Sequence, residues 1–305
     1  MPAYNAEKYI CEAIDSIMGQ TFKDFEFIII DDGSTDLTNS IIRSYDDPRI
    51  RYYKNEKNLG IVGTLNRGLD LCRGRYVARM DADDVSLPTR FENQVKFLDK
   101  NPNLVACGCL YSIYGKDDNK AVDVATDNDD VRNDMIFFCQ FAHSMLMIRR
   151  SVLELNRLRY REDYRHAEDY KLWTELLAFG DMANVPQILG KIRQCKEGIS
   201  VQFSSQQNNV AEQVRRDYQR QMGIESPITL HEAVNGIGAL EDVHSMLNAY
   251  LPVVIKCKPY NWVRRNFISV LKKYMREVGI VDKIKGLCQF ESVLTTMDKI
   301  VILLK

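Results

Sequence analysis

Phe25-Glu26-Phe27-Ile28-Ile29-Ile30 runs straight into Asp31-Asp32-Gly33-Ser34. A continuous apolar and β-branched run of this length is what a strand covered on both faces requires. The acidic turn ends it abruptly. Residues 35–45 then read as a helix, with Ser34 or Thr35 placed to cap it. A buried strand feeding a helix through an acidic turn is the building unit of α/β sheets.

The same alternation continues down the chain. Arg51-Tyr52-Tyr53 reads as a second strand, and after Asn58-Leu59-Gly60 the residues Ile61, Leu65 and Leu69 recur at helical spacing until Gly74 stops them. Residues 75–80 form a third predicted strand, which delivers the chain into Asp81-Ala82-Asp83-Asp84. Pro88 opens another helix, with Phe91, Val95 and Leu98 on one face. This order predicts a doubly wound, mostly parallel sheet, in which ligands bind where the carboxyl ends of strands meet helix starts. Both acidic clusters fall at such ends. Residues 116–135 are polar and acidic, as in a loop or mobile insertion. Residues 142–148 read as a strand, and 168–179 as a helix packing Leu172, Trp173, Leu176 and Leu177 inward. From about residue 205 the pattern is helical. In 262–278 one stripe holds Val263, Phe267, Val270, Leu271, Tyr274 and Val278, interleaved with basic residues. The expected division is an α/β domain over 1–204 and a helical region over 205–305.

A hydrophobic content of 45% with 27% charged residues suffices for a globular core. The net charge of -1 argues against a general nucleic-acid binder. Residues 251–305 nevertheless carry eleven Lys and Arg against four Asp and Glu. The eight cysteines are scattered, the N-terminal residues do not read as a charged-then-apolar leader, and no apolar run approaches a membrane span. Reduced thiols and a cytoplasmic location follow as the expectation. The basic stripe suits either peripheral contact with an anionic membrane or a packed helix with a solvated basic face, the second being favoured.

Asp81-Ala82-Asp83 would put hard carboxylate oxygens at a strand end, suited to Mg²⁺ or Mn²⁺. A cation there would offset the charge that gathers on a departing diphosphate. Any acidic loop contains such a motif, so alone it is weak. Glu168-Asp169 opens an apolar helix, where a carboxylate could take a proton or simply cap the helix.

Taken in order, Pro2-Ala3-Tyr4-Asn5, Asp31-Asp32-Gly33-Ser34-Thr35-Asp36, Asn58-Leu59-Gly60, Ala78-Arg79-Met80-Asp81-Ala82-Asp83-Asp84 and Glu168-Asp169-Tyr170-Lys171-Leu172-Trp173 resemble the motifs of family-2 glycosyltransferases. The resemblance spans roughly residues 2–200. It implies a GT-A, Rossmann-like fold: a mixed, mostly parallel sheet flanked by helices, here with a helical C-terminal appendage. It also implies an inverting transfer from a nucleotide-diphosphate sugar, UDP by family habit, to a hydroxyl of a saccharide or lipid-linked acceptor in surface polysaccharide synthesis. By resemblance, Pro2, Ala3 and Tyr4 line the base pocket and Asp31 bonds the base. Asp81 sits near the ribose, and Asp83 ligates Mn²⁺ or Mg²⁺. Asp169 is the general base, with Glu168 beside it on the acceptor side. His143 matches a segment bordering the acceptor pocket, with a plain strand-end histidine an equal reading. Arg79 and Arg90 match recurring positions that serve either the phosphates or the acidic loop itself.

Two departures stand out. The family places an apolar strand of about five residues directly before the segment at which this chain starts. The expectation is a missing first strand, with a start that lies upstream or was trimmed; if neither holds, poor stability and weak nucleotide binding are expected. Second, Ile192-Arg193-Gln194-Cys195-Lys196 stands where many relatives carry a histidine. Cysteine suits softer metals, so Arg193 or Lys196, not Cys195, is expected to meet phosphate charge. A nucleotidyltransferase would show a Gly-rich phosphate loop near the first strand, and none follows Met1. A non-catalytic nucleotide-sugar-binding or scaffold protein is the other alternative, opposed by the intact Asp83 and Asp169.

Overall fold

The computed structural model describes residues 1–115, 120–194, 203–257 and 262–277. They fall into two compact units, one within Met1–Asn128 and Gln140–Ala211, the other in Asp129–Cys139 and the described residues from Glu212 onward.

In the first unit the apolar run forms strand β2, Phe27–Asp31, buried at every position. It pairs in parallel with β1, Pro2–Ala3, on one side and with β3, Ile50–Lys54, on the other. Helix α1, Ile10–Met18, buries Ile10, Ala13, Ile14 and Ile17, the one-sided spacing that lets a helix cover a sheet. Helices α2, Thr38–Arg43, and α3, Gly60–Leu71, follow β2 and β3 in turn. Gly33 closes the turn after β2 with φ +78°, and a Cβ there would meet the Asn58 backbone at 3.2 Å. Only glycine allows that approach without strain. Asp32, just before it, accepts from Leu59 N at 2.8 Å and from Asn55 Nδ2 at 2.6 Å, which binds the two turns together.

The second sheet runs in the order β4 (Tyr76–Ala78), β8 (Met147–Arg149), β6 (Leu104–Tyr114), β9 (Asp181–Arg193), β5 (Val85–Ser86), with β7 (Lys120–Ala121) beside β6. The parallel arrangement expected from the strand–helix alternation holds in β1–β3. Here β6 and β9 are parallel, whereas β4/β8, β6/β8, β5/β9 and β6/β7 are antiparallel. The whole is a mixed α/β sheet system flanked by helices, α4 (Arg90–Lys100), α6 (Arg150–Leu155) and α7 (Glu168–Leu176) among them, while α5 (Asn128–Asp134) falls almost wholly in the second unit. Two local expectations change. Residues 142–148 are not one strand: a 3₁₀ turn at His143–Met145 precedes β8 because Met145 N bonds back to Ala142 O at 3.0 Å. The acidic stretch 116–135 holds β7 and α5 among its described residues, with Val131 and Met135 fully buried.

Between the sheets lies a cavity of about 750 Å³, lined among others by Met1, Ile30, Leu65, Tyr76, Met80 and Met147. On one side β2 pairs with β1 over only two residues. On the other, β4 is an edge strand. Met1 O accepts from Ile30 N, and its amino nitrogen donates to Ile28 O, both at 2.9 Å. Burial, then Arg79, lowers that amine to about 5.

The second unit is helical, with Leu230–Val234, Leu240–Val254 and Trp262–Glu277. Thr229 and Glu232 exchange side-chain and backbone bonds in a capping box at the start of the first of these. Val263, Phe267, Val270 and Leu271 of the apolar stripe are buried, so that face of the helix is core. Val278 lies outside the described residues. Among those residues no helix is long and apolar enough to cross a membrane.

Candidate active site

Three carboxylates gather in the turn between β4 and β5. One oxygen from each of Asp81, Asp83 and Asp84 lies within 4.8 Å of the others. The turn is held from below by Arg90, which is fully buried. Its Nη2 donates to Arg79 O at 2.9 Å and to Leu146 O at 3.4 Å, and its Nη1 to Ser86 Oγ at 2.9 Å. Burial lowers Arg90 to about 10, which leaves it cationic at neutral pH. Arg79, also buried, forms an ion pair with Asp81. Arg79 thus pairs with the acidic loop, while Arg90 bonds the backbone beside it.

Ser144 joins this turn to the His143 segment. Its hydroxyl donates to Asp81 Oδ2 at 2.9 Å and accepts from Asp81 N and Arg79 Nη1, each at 3.0 Å. That is the full capacity of one hydroxyl. Burial opposes ionisation of Asp81, but Arg79 outweighs it and holds the carboxyl below its usual value. At its neighbours burial and mutual repulsion outweigh the nearby arginines. Burial and then Asp81 push Asp83 up to about 6, and burial, Asp81 and Asp83 push Asp84 up to about 7. An all-oxygen donor set whose members repel one another fits a hard divalent cation, which would relieve that repulsion.

Arg193, at the end of β9, closes the edge of the cluster. Its backbone N donates to Asp84 Oδ1 at 2.8 Å and its Nε to Asp83 O at 3.0 Å. Its guanidinium lies 4.3 Å from the Tyr9 ring centroid and 4.4 Å from that of Tyr114, and pairs with Glu12. Cys195 and Lys196 lie outside the described residues.

At the ends of β1 and β2, Ala3 stands in register with Asp31. Asp31 is fully buried; Oδ1 accepts from Ser34 N at 2.8 Å and Oδ2 from the Tyr52 hydroxyl at 3.3 Å. Pro2 borders the cavity, and Tyr4 is half exposed. Asn5, at φ +49°, bonds Ser34 Oγ and Thr35 N, which ties the β1 end to the β2 turn.

Helix α7 brings in Glu168 and Asp169. Glu168 Oε2 accepts from His166 N at 2.7 Å, and burial raises its carboxyl. Burial, then Glu168, raises Asp169 to about 7. His143 Nδ1 lies 4.0 Å from Asp169 Oδ2, and its Nε2 is 2.9 Å from the Tyr160 hydroxyl. Asp169 lies 4.0 Å from His143, whose neighbour Ser144 bonds Asp81 at 2.9 Å, and Asp83 belongs to the same carboxylate cluster as Asp81. Asp81, Asp83, His143, Glu168 and Asp169 come together, while Pro2, Ala3, Tyr4 and Asp31 form their own group at the β1/β2 end. Asp84 and Ser144 were within sight in the sequence, each adjacent to a singled-out residue. Tyr160 carries no spacing signal at all.

Sheet order, a carboxylate turn at a strand end and an acidic helix start on the facing side define a transferase of the GT-A fold. The chain belongs to the family whose model, Glycosyl transferase family 2, matches residues 1–155. An uncharacterized glycosyltransferase of Haemophilus influenzae is 35% identical over 263 residues, covering 79% of this chain and 78% of that protein. Among solved structures, S. aureus TarS 1-349 in complex with UDP-GlcNAc aligns with 99% of this chain and 88% of its own, at a TM-score of 0.59 and 16% identity. Mannosyltransferase PcManGT from Pyrobaculum calidifontis, in complex with GDP-Man and Mn²⁺, aligns with 99% of this chain and 82% of its own, at 0.54 and 17%. Likenesses this distant establish the fold.

Proposed function

We propose that this glycosyltransferase inverts the anomeric centre as it moves a sugar from a UDP-sugar onto a hydroxyl of a saccharide or lipid-linked acceptor, in the assembly of a surface polysaccharide. The observation that carries the reading is the short path of contacts between the carboxylate cluster and Asp169. Pro2, Ala3, Tyr4 and Asp31 would take the base, and Asp81 would face the ribose. Asp83, with Asp84 beside it, would hold Mn²⁺ or Mg²⁺. That cation, when bound, supplies charge stabilisation for the diphosphate as it leaves. Asp169 removes the acceptor proton as the hydroxyl oxygen bonds to the anomeric carbon and the bond from that carbon to the diphosphate breaks. Its raised carboxyl suits a base working near neutral pH. Glu168 and His143 border the acceptor. Arg193, already beside Asp83 and Asp84, is placed to meet phosphate charge.

Catalysis belongs in this reading to residues 1–204, with 205–305 as the helical appendage. Since Val263, Phe267, Val270 and Leu271 of the helix Trp262–Glu277 are buried, a peripheral membrane contact by that helix from the cytoplasmic side would rest on its basic residues. Flotation with anionic liposomes, wild type against a charge-reversed tail, tests that part. The enzymatic part is tested by nucleoside diphosphate release from a panel of UDP-, GDP- and dTDP-sugars with Mn²⁺ and with chelator. Release from UDP donors, abolished by chelator, supports the proposal; release unaffected by chelator removes the metal from it.

A further inference from the structure

Tyr160, whose hydroxyl meets His143 Nε2, has no part in the reaction just described. It is 5% exposed, and its backbone is clamped on both sides by the Asn66 amide: Asn66 Nδ2 donates to Tyr160 O and Tyr160 N to Asn66 Oδ1, both at 2.9 Å. The clamp fixes the ring against His143 and Trp173, with centroids 5.4 and 6.2 Å away, and the hydroxyl on His143 Nε2 at 2.9 Å. The other imidazole nitrogen faces Asp169 Oδ2 at 4.0 Å.

These two contacts select one tautomer. A lone pair on Nδ1 would face the carboxylate with like charge, whereas an N–H there faces it favourably. If Nδ1 carries the proton, Nε2 must accept, and the Tyr160 hydroxyl is the donor in place to supply that bond. Burial, then Arg79, holds His143 well below its usual value, so the ring is neutral and keeps a single N–H.

We propose that Tyr160 is a positioning residue, which donates to His143 Nε2 and thereby presents His143 Nδ1–H to the Asp169 carboxylate, orienting it toward the acceptor. The inference rests on Asp169 as the base. At 4.0 Å the ring nitrogen and the carboxylate are within electrostatic reach of one another.

Two measurements on the full chain test it. With ¹⁵N-labelled histidine, the His143 signals, assigned by their loss in His143→Asn, should report Nδ1–H in the wild type and Nε2–H in Tyr160→Phe. In turnover, Tyr160→Phe should lower kcat about tenfold, the worth of one hydrogen bond to a charged group, with the donor KM unchanged. His143→Asn puts an amide N–H near the Nδ1 position whatever Tyr160 does, so adding Tyr160→Phe to it should cost nothing more. An Nε2–H tautomer in the wild type, or an equal loss in both backgrounds, overturns the proposal. If Asp169→Asn is inactive while Tyr160→Phe turns over normally, the positioning role alone fails. If Asp169→Asn stays active, the base assignment fails first.

Discussion

Ser144 Oγ stands 2.9 Å from Asp81 Oδ2, one of three bonds by which this hydroxyl ties the acidic turn after β4 to the segment before β8. Asp81 lies between a buried cation and a saturated hydroxyl, so its carboxyl is held below its usual value while those of Asp83 and Asp84 are pushed up. Ser144→Ala would leave the Asp81 N–H and one Arg79 N–H without this acceptor. A loss of about 1–3 kcal/mol is expected from stranding buried donors, measured by urea denaturation. An unchanged midpoint would show that the tie carries no weight.

The pH dependence of turnover follows from Asp169. A base acts in its deprotonated form, and this carboxyl is raised to about 7 by burial and by Glu168. The rate of transfer is therefore expected to rise through an acid limb centred near that value and to fade below it. A rate that is flat from about pH 5 to 8 would contradict this, since an ordinary aspartate near 4 is already ionised throughout.

Stability should respond to pH in the opposite direction. Asp83, Asp84 and Asp169 hold protons in the fold that they release near 4 when unfolded. Between those values the folded state binds more protons, so raising the pH through about 4 to 7 removes stability. Over that range the metal-free Tm of a variant with all three as Asn should gain on that of the wild type as the pH rises. Mn²⁺ should raise Tm more at pH 8 than at pH 5, because protons compete with it for the carboxylates. An equal Mn²⁺ effect at both values would count against a carboxylate site.

The cavity between β2 and β4 yields a prediction about packing. Five apolar residues joined ahead of Met1 in extended form would fill it, pair with β2, and turn the buried amine into an amide. Tm should rise, by about 2–4 °C for each kcal/mol gained, and nucleotide affinity should rise with it. Five polar residues should give neither gain. Equal effects of the two extensions would show that the cavity does not take a strand.

Much of this architecture is written locally. Phe27–Asp31 needs no partner to be identified, because only a doubly covered strand tolerates so continuous an apolar run, and Asp81 and Asp83 follow a strand end as the alternation requires. Sheet direction is not local. The antiparallel pairings of β4, β5 and β8 depend on which strand each meets, and alternation of strand and helix does not encode that choice. The 3₁₀ turn at His143–Met145 hides for a related reason, since it accompanies the Ser144 bonds to the Asp81 segment 63 residues away. The stripe of Val263, Phe267, Val270 and Leu271 was legible as amphipathic, but the spacing is the same whether helices or lipid cover it. Tyr160 shows the limit most plainly: a buried tyrosine looks like core until its hydroxyl is seen on His143.

The account stands or falls on Asp169 taking the acceptor proton. Asp169→Asn keeps the shape of the side chain and removes its basicity. With saturating donor, acceptor and Mn²⁺, its kcat should fall by about 10²–10⁴-fold while donor affinity, measured by calorimetry, holds at the wild-type value. Turnover at the wild-type rate would contradict the central claim.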